Sequence, residues 1–242
     1  MKNKIYQVGL FLFLSFIMVS CVKDNMPGPN SQIFGAIKDS VGGGLVETDL
    51  VNGSVIEVFE LGYPTQVSQK WLIKQNGEYR NNLVFSGSYD IYLRNGNFFP
   101  YTIPAYNIKP GENKQDFLVV PYIRIKNCAI TYDPANKKIN ATFSLEAGSP
   151  LVKAQSVRLY AFSDMYVGEQ TKFGTSGTTF SQTFSPVKTI DNTTYNLSID
   201  LAANASLFPT GRDYFFRVGS FASVSGVGTI RSNYAPYVKI SL

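Results

Sequence analysis

The sequence predicts an all-β protein made of two consecutive β-sandwich domains, and three observations carry that expectation. From Ile33 onward apolar and polar residues alternate with a period of two, the repeat of a strand whose side chains point to opposite faces in turn. Turn formers break the alternation at short intervals, with 20 glycines and 12 prolines in 242 residues. No run of ten or more residues shows the 3.6-residue period of an amphipathic helix. Because 44% of the residues are hydrophobic, the chain can fill a core, and its length suits one or two domains.

Residues 1–20 read as a lipoprotein signal peptide. Lys2 and Lys4 supply the positive start, Val8 to Val19 is apolar apart from Gly9 and Ser15, and Met18-Val19-Ser20-Cys21 forms a lipobox. The apolar run is too short to span a bilayer, which takes about 20 residues. Cys21 is therefore the expected lipidated first residue, and two or more acyl chains would hold it firmly. Residues 21–32, with Pro27-Gly28-Pro29-Asn30, read as a tether. Lys23-Asp24-Asn25 resembles the charged export tags of Bacteroidetes surface lipoproteins, which implies an outer-membrane anchor facing the cell surface.

Residues 33–120 form the first predicted sandwich. Gly53 to Leu61 alternates, Asn76-Gly77 is a hairpin signal, and Ser88 to Leu93 is a further strand. The stretch from Tyr63 to Gln75, which contains the single tryptophan Trp71, is expected to be a long connection. Gly35, Gly53 with Val55, Asn76-Gly77-Glu78-Tyr79 and Phe85-Ser86-Gly87-Ser88-Tyr89 follow one another as in carboxypeptidase regulatory-like, or transthyretin-like, domains. Residues 31–120 resemble that family, which implies a structural or binding module.

Pro121 marks the boundary to a second sandwich over residues 121–242. Its expected inward rows are Ile139, Ala141, Phe143 and Leu145; Val157, Leu159 and Ala161; Tyr195, Leu197, Ile199 and Leu201; and Tyr214, Phe216 and Val218. Leu207 to Val218 resembles the corner and following strand of fibronectin type III and related immunoglobulin-like domains, which implies that the Tyr214 hydroxyl bonds to backbone upstream. Lipobox, tether and two sandwiches together resemble a Bacteroidetes family of two-domain lipoproteins of unknown function. Members of such families are commonly encoded beside starch-utilisation-type glycan importers. The implied partners are the outer membrane through the lipid anchor, a polysaccharide or oligosaccharide, and starch-utilisation-type transporter proteins.

The composition narrows the chemistry. The chain has no histidine, so triads and histidine metal sites that need an imidazole are excluded. Glu57 and Glu60 lie an odd number of residues apart on one strand and so point to opposite faces, unlike a glycosidase pair. Asp133-Pro134-Ala135-Asn136 has too few ligands for calcium and reads as a turn. No catalytic residue, metal or cofactor is expected. The net charge of +5 falls to +3 once residues 1–20, with two lysines and no acid, are removed; the basic residues are scattered, which argues against nucleic acid. Cys128, the remaining cysteine, reads as a buried apolar residue.

Binding through aromatic rings is the remaining chemistry, since sugars pack C–H faces on flat rings while their hydroxyls meet polar side chains. The candidates are Trp71; Asn97, Phe98, Phe99 and Tyr101 in the Arg94–Tyr101 stretch; and Tyr166 and Phe173 in the Asp164–Phe173 stretch. The expected role is an accessory glycan-binding or glycan-presenting component of an uptake system. The competing role is a non-catalytic spacer or protein–protein adaptor. Rings exposed around a polar concavity favour the first, and rings buried at the domain junction favour the second.

Overall fold

A computed structural model describes residues 27–242. The signal peptide and Cys21 lie outside the described residues, which contain sixteen strands and no helix.

The first domain packs two sheets face to face. One is built on β1 (Ser31–Asp39), which pairs antiparallel with β4 (Glu78–Val84) and parallel with β7 (Gly111–Lys114) and β8 (Phe117–Val119). The other has the order β3 (Ser68–Leu72), β2 (Val55–Glu60), β5 (Gly87–Arg94), β6 (Tyr101–Ile108). Alternation in β5 sends Tyr89, Ile91 and Leu93 inward, where they meet Ile33, Ile56 and Phe117. The hairpin signal at Asn76-Gly77 falls where Gly77 takes φ +86° and leads into β4.

Two expectations need correction here. β1 begins at Ser31, two residues before the expected domain start. The Tyr63–Gln75 stretch is not all loop, because its second half holds β3, which pairs with β2 and places Trp71 opposite Ile56.

The second domain opposes β13 (Thr194–Asp200), β10 (Lys138–Ala147) and β9 (Ile123–Asp133) to a larger sheet. That sheet runs β12 (Ser181–Thr189), β11 (Lys153–Phe162), β14 (Asp213–Ser223), with β15 (Asn233–Tyr234) and β16 (Val238–Ser241) both on β14. Every residue of the four expected inward rows is buried in one core. The Tyr214 hydroxyl donates to the Pro209 carbonyl at 2.8 Å, the backbone bond expected of the corner tyrosine. Asp133 accepts from the amides of Ala135 and Asn136, so that segment is a turn. Cys128 packs on the edge of this core, and burial pushes its thiol up to about 11.

Candidate binding site at the domain junction

The outer face of the β11–β14 sheet explains how the two domains meet. Residues of one parity on β14 fill the core, while the other parity presents Arg217 and Gly219 toward the first domain's loops. Arg217 is 0% exposed, and all three of its guanidinium nitrogens donate hydrogen bonds. It donates to Glu47 Oε2 at 2.6 Å, to the Thr48 and Val167 carbonyls at 3.2 Å each, and to the Ala235 carbonyl at 3.1 Å. Its guanidinium also lies 4.0 Å from the centroid of the Tyr234 ring. Tyr234 donates in turn to Asp49 Oδ2 at 2.6 Å and accepts from the Glu169 amide at 3.0 Å.

The environment shifts each of these acids. Burial pushes the Glu47 carboxyl above its ordinary range despite the attraction of Arg217. Burial also raises Asp49, outweighing the Tyr234 hydrogen bond. Two glycines make the close approach possible. A Cβ on Gly168 would collide with Asp49 Oδ1, and one on Gly219 would lie 2.8 Å from both the Tyr160 and Tyr234 rings. A second ion pair, Arg124 to Asp39, ties β9 to β1, with Nη2 to Oδ1 at 2.8 Å.

This seam absorbs several of the candidate residues. Asn97 is 0% exposed: its side-chain Nδ2 donates to the Glu47 and Ser232 carbonyls at 2.7 and 3.1 Å, and its backbone carbonyl accepts from Asn233 Nδ2 at 2.7 Å. Phe98 is buried in the first core, and Phe99 packs edge-on against Tyr122 at the junction, 5.0 Å between centroids. Tyr101 is half-buried against the first core. Trp71 is 4% exposed, its ring 6.3 Å from Tyr89. Phe173 packs against Phe162, Phe208 and Tyr214. The expectation of a solvent-facing platform at Trp71, Asn97 and Phe98 is thus corrected. Trp71 does sit on the edge strand β3, but on its inward parity, and the Asn95–Asn97 turn is covered by the second domain.

Tyr166 remains at the surface, 43% exposed. It lines a cleft of about 350 Å³ between the domains with Leu50, Met165 and Tyr237, the last 36% exposed. Tyr237 is held edge-on against Phe215 at 5.4 Å. Polar groups converge on the same cleft: Glu47, Lys74, Asn76 and Gln75. Gln75 is buried and donates through Nε2 to the Val167 carbonyl at 2.9 Å, while its Oε1 has no hydrogen-bond partner. The two part-exposed phenol rings, with Glu47, Lys74 and Asn76 around them, offer flat faces and polar partners of the kind a sugar meets. Sequence reasoning missed Gln75, Glu47 and Tyr237. Only Tyr237, beside Pro236 near the chain end, offered a local signal, and it reads there as packing.

Comparison with known proteins places the chain. The N-terminal domain of DUF3823, a family of unknown function, matches residues 31–120, and the family's C-terminal domain, also of unknown function, matches residues 123–239. The chain belongs to the DUF3823 family. It is similar to a solved Bacteroides uniformis protein described as a "putative carbohydrate binding protein", at 46% identity and TM-score 0.85, over 89% of this chain and 100% of that one. A DUF3823 family protein from Parabacteroides merdae is 19% identical with TM-score 0.69 over 89% of this chain and all of that one. One from Bacteroides ovatus is 20% identical with TM-score 0.67, over 88% and 99% of the two chains. These two likenesses show the shared fold. No curated protein matches the chain.

Proposed function

We propose that this protein is a cell-envelope glycan-binding accessory that takes saccharide at the Tyr166–Tyr237 cleft. The observation that carries the reading is the pair of part-exposed rings, Tyr166 and Tyr237, lining one polar cleft of monosaccharide scale. The likeness to a Bacteroides uniformis protein described as a "putative carbohydrate binding protein" supports it. Anchoring at the outer membrane through Cys21, facing the cell surface, is part of the proposal and is supported by the lipobox and the Lys23-Asp24-Asn25 tag. Delivery of glycan to a starch-utilisation-type transporter completes it.

Affinity gel electrophoresis over a panel of polysaccharides tests the binding. At least one glycan should retard the full chain, and Tyr166→Ala with Tyr237→Ala should weaken that retardation about tenfold or more, the loss of about 1.4 kcal/mol of ring contact. If no glycan retards the protein, the reading fails. The spacer or adaptor reading then takes its place, and it already has one observation in its favour: Phe99 and Tyr122 are spent on packing the two domains together.

A further inference from the structure

On the other flank of the same seam lies a second cleft of about 400 Å³, and its charges are arranged differently. Arg158 and Arg231 both line it. Arg158 belongs to β11 and pairs with Gly219, over which the Tyr160 and Tyr234 rings close. Its guanidinium stacks 4.9 Å from the Phe180 centroid and 5.5 Å from that of Tyr160. Arg231 is fixed by its backbone, whose amide donates to the Gly96 carbonyl at 2.9 Å. Among the described residues neither guanidinium has a carboxylate within ion-pair distance. The Nε of each is shut off from solvent without a hydrogen-bond partner.

Two carboxylates also line the cleft, and both are already committed. Glu169 accepts from Tyr160 at 2.7 Å and pairs with Lys172 at 2.7 Å. Asp49 accepts from Tyr234 and lies within the field of Arg217. The two arginines are therefore the uncommitted charges. A guanidinium offers a planar fork of donors matched to an oxyanion.

We infer that the Arg158–Arg231 cleft binds the anionic group of an acidic saccharide, a hexuronate carboxylate or a sulfate ester. The saccharide part of this assignment rests on the glycan reading above; the anionic part rests on the two arginines alone. Gln170, Asn52 and Ser232 in the same cleft supply polar contacts for the rest of such a unit.

The test uses the full chain and three probes in affinity gels and calorimetry: polygalacturonate, its carboxyl-reduced neutral form, and a sulfated glycosaminoglycan. Free galacturonate and inorganic sulfate are measured alongside. The expected result is binding of polygalacturonate or the sulfated polymer at least tenfold tighter than the neutral form. Arg231→Gln should remove that preference and leave the neutral affinity unchanged. Because Arg158 packs on Phe180, Arg158→Gln is accompanied by Arg158→Lys, which keeps the charge, and by a thermal melt of each variant. A folded Arg158→Lys protein should keep part of the preference through its charge while losing the fork. Which polymer binds separates carboxylate from sulfate ester. Equal binding of charged and neutral polymers would overturn the inference and leave the glycan reading standing. Arginine-dependent binding of inorganic sulfate with neither galacturonate nor any polymer bound would support the anion site and sink the glycan reading. No binding of any anion would overturn the inference outright.

Discussion

Removing the Arg217 side chain would leave the Glu47 carboxyl, and the Thr48 and Val167 carbonyls, without the donors that serve them at the seam. Arg217→Ala is therefore expected to cost about 3–5 kcal/mol in urea denaturation, with part regained when Glu47→Gln is added, because no acid then has to be buried without its cation. Arg217 carried a faint signal in the sequence: it is the one charge within the apolar run Tyr214–Val218, on the parity opposite the core row. What local pattern lacks is the identity of the partner, since Glu47 lies 170 positions away. Trp71 shows the same gap from the other side. Gln69, Lys70 and Lys74 make its surroundings look solvated, yet pairing with β2 decides which parity of β3 faces inward.

At the scale of strands the alternation was informative wherever one face is buried and the other wet. The rows on β10, β11, β13 and β14 were legible because each repeats an apolar residue every second position over three or four repeats. β3 is only five residues long and carries one large apolar residue on each face, so its boundaries merge with the preceding loop. The Tyr214 corner was readable from its spacing to Pro209 and Gly211. Tyr214→Phe, which removes the single bond to Pro209 without a cavity, should lower stability by about 1 kcal/mol. Matched urea melts of the variant and the parent check this, and no change at all would mean that water replaces the tyrosine in the corner.

For the whole molecule the domain seam titrates in two opposing directions. Burial would push the Asp39 carboxyl up, but the hydrogen bonds from Arg124 and the Val41 amide hold it below its ordinary 3.8. A depressed carboxyl contributes stability above the unfolded value and loses it as pH falls through the folded one. Glu47 and Asp49 are raised, so their contribution is full in acid and is lost as pH climbs through their folded values. The seam's contribution should thus grow as pH falls toward the ordinary carboxylate range and decline again once pH drops below the ordinary 3.8 of Asp39. Thermal melts across pH 2–7 should show that dome, and Asp39→Asn should flatten its acid side; an unchanged acid limb would assign the loss to carboxylates elsewhere. The clefts beside this seam were not legible because they arise only where residues near 50, 75, 160 and 235 converge.

The ladder around β1 has a mechanical consequence. β1 lies between β4 on one side and β7 and β8 on the other, and it runs parallel to the latter two. Tension entering the chain at Ser31 and leaving through β8 toward the second domain acts along these neighbouring strands. Their hydrogen bonds are loaded side by side in shear, so the rows must give way together where a hairpin pulled at its open end would unzip one bond at a time. With β8 leading directly into the pinned seam, a pull on one end of this protein is passed to the other as through a stiff strut.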